Sequence, residues 1–271
     1  MRRAHVLALV VLLGACEHGP QSTSSVDAPA PKAETTQGAP TPAAKAKPAA
    51  SEVYRRPGDP ATGIDELAFW GWSEDGRYFA VETYHHGADM VECEGEAELT
   101  IFDAEANRPA EDGHVLIKHA EPEAETCDPP DLREALAQRR APLLERYGIT
   151  PAHIGGPLSL EPSGDGSRWS FTTPKERKAV TLSLRVLHGT DDPMEAIDGA
   201  AFELELQPEG GPAVVLEPGR ERRPWTLGYG LEQGMAFVGP QGRHAAILVA
   251  TQMTMPEGVR SSWTPRGATL R

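Results

Sequence analysis

The sequence predicts a mainly β fold, an antiparallel β-sandwich or propeller-like sheet domain with one helical insertion near 131–147. Three observations lead there. Short segments with period-two apolar alternation recur beyond residue 66, clusters of Gly, Pro and Asp separate them, and one stretch carries helical spacing instead. Gly (27) and Pro (25) are frequent, as a turn-rich chain requires, and a hydrophobic content of 39% still supplies a core.

The first strands expected are 67–72, 77–84 and 96–102, each enriched in aromatic and β-branched residues. Later candidates are 168–173, 179–187, 201–206, 213–216, 225–229, 235–238 and 245–251. In the best of them Val180, Leu182, Leu184 and Val186 alternate onto one face. One buried face and one wet face suit an antiparallel sheet. His114 and His119 fall on a further stretch, where strand geometry would place them on opposite faces and at the surface. Between these strands, Leu132, Leu136, Arg139, Leu143 and Tyr147 recur at helical spacing, with Asp131 placed to cap the start and Gly148 to end it. Pro142 lies inside and is expected to kink the helix or split it in two.

Charge narrows the partners. The chain carries 40 Asp plus Glu against 26 Lys plus Arg, a formal net charge of −14. A field of that sign repels nucleic acid and anionic membrane surfaces. It is also concentrated: residues 82–134 hold 16 acidic side chains and three basic ones, Arg108, Lys118 and Arg133. A cationic protein or ligand is the electrostatic partner expected at 82–134, set against the plainer reading of a solvated face.

The N-terminus carries the most specific signal. Met1-Arg2-Arg3 precedes an apolar run of about ten residues, too short to span a bilayer, where about 20 are needed. The arrangement reads as a signal peptide, 1–15. Leu13-Gly14-Ala15-Cys16 directly after the run resembles the lipobox of bacterial lipoproteins. That resemblance implies cleavage before Cys16, diacylation of its thiol and acylation of the new amino terminus, palmitate being the typical chain. More than one acyl chain anchors a protein stably. Glu17 at the following position favours the outer membrane by the same resemblance. Residues 16–52 form the expected tether. From 17 onward they hold six Pro, nine Ala and eight Ser or Thr with no aromatic, a composition that cannot offset its ordering entropy. The β-rich globular domain is then 53–271.

Trp72-Ser73-Glu74-Asp75-Gly76-Arg77-Tyr78-Phe79-Ala80-Val81 looks like the hairpin of periplasmic β-propeller blades. Weaker echoes occur at 163–171 and 239–247, too unevenly spaced to favour a propeller. From Leu67 to Ile149, the order of this hairpin, Glu98–Asp103 and the helix is similar to the bacterial family of predicted secreted proteins called domain of unknown function 2259. That resemblance implies export and a β architecture, and carries no functional residues with it.

With Cys16 taken by lipid, Cys93 and Cys127 are expected to form a disulfide, as a pair does in an oxidising compartment. Closing a loop of about 35 residues contributes roughly 4 kcal/mol. No zinc-like spacing accompanies either thiol. His85 and His86 with Asp89 and Glu92 form the one local cluster able to bind a metal, and only if the two histidines lie in a loop. A polar loop is the simpler reading, so no metal and no cofactor are assigned. The run Asp103–Asn107 begins like a calcium loop, but Arg108 stands where Gly is needed. No hydrolase elbow, zincin, phosphate-loop or dinucleotide motif is present. Arg220–Trp225 could be a docking face or a solvated turn. The function expected is a lipid-anchored, non-enzymatic envelope module that binds or builds, with no catalytic residue named. The alternative is an envelope hydrolase or metal-dependent enzyme with a site near His85, His86 and Asp89.

Overall fold

Fifteen strands and one long helix are built into the computed structural model, which describes residues 52–59, 63–86, 92–122, 131–155, 157–164, 166–173, 177–255 and 258–270. The first sheet contains β1 (Tyr54–Arg56), β2 (Glu66–Ser73), β3 (Tyr78–His86), β4 (Glu92–Asp103) and β5 (Arg108–Pro122) as an antiparallel meander. The two-residue β6 (Ile149–Thr150) shares the outer edge of β2 with β1. A second meander runs β7 (Glu161–Ser163), β8 (Arg168–Thr172), β9 (Ala179–Leu187), β10 (Ala201–Pro208) and β11 (Val214–Pro218). The third sheet is built on β14 (His244–Met255). Along one edge β14 pairs with β15 (Gly258–Thr269), and along the other with β12 (Thr226–Gly230) and β13 (Ala236–Val238).

Burial orders these sheets into layers. Leu67, Phe69, Trp72, Phe79 and Phe102 of the first sheet share a core with Phe237, Ala246, Leu248, Ala250 and Trp263 of the third. Val180, Leu182, Leu184, Phe202, Leu204 and Leu206 of the second sheet share another with Ala245, Ile247 and Val249. The third sheet is therefore central, with alternate residues of β14 serving opposite cores. That is why Ala245-Ala246-Ile247-Leu248-Val249-Ala250 is continuously apolar. The expected β-sandwich is thus extended to three sheets. In the outer, second sheet the alternation of β9 holds through Leu184, but Val186 is 38% exposed.

The outer face of the first sheet is closed by α1 (Leu132–Arg146), which buries Leu132, Leu136 and Leu143 against Ala80, Ala97, Leu99 and Ile101. The Asp131 carboxylate accepts from Arg133 N, and Gly148, at φ +63, ends the helix, as the sequence predicts. Pro142 does not split it. The hydrogen bond it cannot donate would have reached the Gln138 carbonyl, and both residues lie on the exposed side of α1. Arg139 is exposed rather than buried, and its neighbour Arg140 lies on the packed side.

The three hairpin echoes fall one to a sheet. Ser73–Arg77 joins β2 to β3, Ser163–Arg168 joins β7 to β8, and Gly239–Arg243 joins β13 to β14. In the first, Ser73 Oγ donates to Asp75 Oδ1 at 2.6 Å and accepts from Tyr78 N at 2.9 Å, while Gly76 takes φ +71. The first and third turns pack together, with Gln241 Nε2 donating to the Glu74 carbonyl at 3.4 Å. Asn107, at φ +50, ties all three sheets: its Nδ2 donates to Leu216 O at 2.6 Å and its Oδ1 accepts from Gly267 N at 2.9 Å.

Candidate functional site

A group of charges, buried at Asp65, His85 and Arg260 and reaching the surface at Lys118, lies where the first and central sheets meet. Asp65, one residue before β2, donates its N–H to Ser261 O at 3.0 Å and is thereby held against β15. Its side chain is 0% exposed. Burying a carboxylate that deeply is tolerated only when it is paired. Asp65 Oδ1 shares a 2.8 Å hydrogen bond with His85 Nδ1, and Arg260 donates to both carboxylate oxygens at 3.1–3.2 Å. Arg260 Nη1 reaches on to Glu96 Oε2 at 2.9 Å, and Lys118 Nζ meets Glu96 Oε1 at 2.5 Å. His85, Glu96 and Lys118 stand opposite one another across β3, β4 and β5, so the ladder register itself assembles them.

Two carboxylates, Asp65 and Glu96, face two cations, Arg260 and Lys118, so these four charges balance. Burial pushes the Glu96 carboxyl up, but Lys118 and Arg260 outweigh it and hold the group below the ordinary carboxylate range. Burial likewise pulls Arg260 down, and Asp65 with Glu96 more than reverses it. Chemically, this is an imidazole oriented by a carboxylate that is itself clamped by an arginine. The clamp can hold two sheets together, and an oriented imidazole is also one half of a base–orienter pair.

The residues named from sequence are placed unevenly. His85 is buried in β3, and His86 ends that strand opposite Gly95, so the pair does not lie in a loop. The His86 side chain and Asp89 lie outside the described residues, as do the Glu92 side chain, Cys16 and Cys127. Cys93 is on β4 opposite Glu121 of β5, and its side chain is likewise undescribed, so its pairing with Cys127 is not addressed. Among the described residues no group of three or more His, Cys, Asp or Glu side chains has the geometry to hold a metal. His114 is on the surface, bonded to Glu98 at 2.9 Å.

Cations from outside 82–134 fold onto that acidic segment. Arg77 binds Asp103 at 2.6 Å, Arg140 binds the buried Glu82 at 2.6 Å, and Arg260 binds Glu96. Composition counts these carboxylates as free charge, whereas the fold commits them internally. Glu98 is half-exposed and held by His114 and Thr100, while Glu105, Glu111, Asp112 and Glu134 face water. Arg140, together with Arg133 of the segment itself, also fastens the helix. Arg140 stacks 4.0 Å from the Trp70 ring, whose Nε1 donates to Glu82 at 3.1 Å. Arg133 lies 3.9 Å from the Tyr84 ring and binds Glu66 at 2.6 Å.

Asp65 and Arg260 carry no local motif: they are 195 residues apart and meet only through the Ile64–Ser261 bridge. The one usable signal was Asp65 itself, an acid just ahead of the apolar run Leu67–Trp72. An open cleft of about 730 Å³, lined by Arg77, Tyr78, Arg108, Arg146 and Tyr147 among others, sits elsewhere, beside the end of α1. No family model, no curated protein and no solved structure matches the chain.

Proposed function

We propose that the chain is a lipid-anchored protein of the bacterial envelope, held through Cys16 in the outer membrane, whose β domain is a non-enzymatic binding or structural module. The observation that carries the reading is the Asp65–His85–Arg260–Glu96–Lys118 group, in which buried charge is spent joining two sheets rather than lining an open cleft. Leu13-Gly14-Ala15-Cys16 supports the anchor, and the tether composition of 16–52 supports a domain standing off the bilayer. The partner-facing charges are Glu111 and Asp112, which favour a cationic protein or ligand on the β5 side of 82–134. Metabolic palmitate labelling tests the anchor: incorporation lost in Cys16→Ser supports it, and an unlabelled wild-type protein removes it. Cross-linking in whole cells tests the partner. Adducts that persist unchanged when Glu111 and Asp112 are neutralised remove the acidic face.

A second reading, an envelope hydrolase, draws on the 2.8 Å Asp65–His85 bond, since a fixed imidazole is what a general base requires. A hydrolytic activity of the purified protein that disappears in His85→Gln while the fold persists would install it in place of the first.

A further inference from the structure

The turn Arg223-Pro224-Trp225-Thr226 is closed by Thr226 N donating to Arg223 O at 3.3 Å, with Pro at its second position. Its third position requires a positive φ, and glycine or asparagine normally fills it. Here Trp225 does, at φ +62. A bulky side chain in that region is strained, and strain of this kind persists where a side chain is kept for a purpose. The indole does not serve the core, since Trp225 is 52% exposed. Loop 188–199 is pinned beside it by Arg223 N to Ala200 O at 2.9 Å and by Thr190 N to Leu227 O at 3.0 Å. That loop presents Met194 at 76% and Ile197 at 49% exposure.

Charge is divided between the two segments. The loop carries Asp191, Asp192, Glu195 and Asp198, all exposed. The turn side carries Arg220 and Arg222, exposed and without a carboxylate partner among the described residues, with Glu221 between them and Arg223 bonded to Thr264. Trp, Met and Arg are the residues that interface cores enrich.

We propose that this end of the domain is a homodimer interface, in which Trp225, Met194 and Ile197 of two copies pack about a two-fold axis. In such an interface each copy presents the same patch, so the acidic loop of one meets the arginine segment of the other. A patch with one acidic and one basic half complements itself, which it would not do for a uniformly charged partner. This reading goes beyond the anchored module and stands whether or not Cys16 is acylated.

Sedimentation equilibrium of the full-length protein in density-matched detergent tests it, every variant sharing the same N-terminus. The wild type is expected to show a monomer–dimer equilibrium. Trp225→Gly, which removes the indole from both copies, is expected to weaken it by about 30-fold or more, with a melting midpoint, read at concentrations where both proteins are monomeric, at or above wild type because glycine takes the left-handed position freely. The pair Arg220→Asp with Arg222→Asp, and separately the pair Asp191→Arg with Asp192→Arg, should each weaken self-association about tenfold or more, and mixing the two proteins should restore a heterodimer. A wild type that stays monomeric, a dimer indifferent to Trp225→Gly, a midpoint lowered by that change, or a mixture no tighter than its components overturns the proposal.

Discussion

Replacing Arg260 by Met tests whether the buried charges hold the sheets together. Arg260 makes three hydrogen bonds to Asp65 and one to Glu96, and its side chain is 15% exposed. Methionine keeps most of the volume and removes the charge, leaving a carboxylate with no exposed surface and only His85 as a side-chain partner. Breaking a buried pair in this way costs about 3–5 kcal/mol. For a domain of this size each kcal/mol moves the melting midpoint by about 2–4 °C, so a fall of roughly 6–20 °C is expected by calorimetry. Adding Asp65→Asn to Arg260→Met should recover part of the loss, because the neutral amide costs less to bury than the orphaned carboxylate. Raising the salt concentration should change little, since buried pairs are poorly screened. A fall of under about 2 °C, or a double variant that simply adds both losses, refutes the reasoning.

Other changes probe single features. Glu96 is held below the ordinary carboxylate range, so its contribution is present above the unfolded value of 4.5 and lost as pH falls through the folded one; Glu96→Gln should be less stable than wild type at pH 7 and lose less on acidification, and parallel pH profiles would contradict this. Burial holds the His244 imidazole below its usual 6.5, so stability should fall as pH drops beneath that value, and His244→Gln should flatten the slope in urea titrations. A Cβ at Gly267 would stand 2.4 Å from the Ala104 Cα, so Gly267→Ala should cost about 1–3 kcal/mol, and a neutral result would mean the sheets separate easily there. Pro142→Ala should raise stability by about 1–3 kcal/mol by restoring a helix hydrogen bond, read as a higher urea midpoint; a loss would show that the proline shapes α1 in a way the helix needs.

Most of the framework was legible because it is local. β9 spans Ala179–Leu187, as alternation predicts, and the cap at Asp131 and stop at Gly148 set the limits of α1. β15 was not legible. Gly258, Pro265 and Gly267 argue against a strand, and it survives because it lies at a sheet edge, pairing with β14 alone among the strands, where a missing N–H costs no ladder bond. Trp72 joins Leu67 and Phe69 on one face only because a bulge at Gly71, φ +105, shifts the alternation by one residue. That Pro142 leaves α1 unsplit depends on its place on the exposed side of the packed helix, which only the three-dimensional arrangement sets. The charge group was the least legible. Its members come from β3, β4, β5, β15 and the approach to β2, and only long-range pairing brings them together. The acidic segment was visible as composition, but the arginines that neutralise part of it arrive from outside.

The anchored-module account turns on the N-terminus, and the intact mass of the protein taken from its native membrane tests it most directly. The account predicts a chain beginning at Cys16 that carries a diacylglyceryl group on the thiol and a further acyl chain on the amino group. It also predicts a gain of two protons on reduction if Cys93 and Cys127 are joined. A mass that retains residues 1–15, or a chain with an unmodified Cys16, contradicts it.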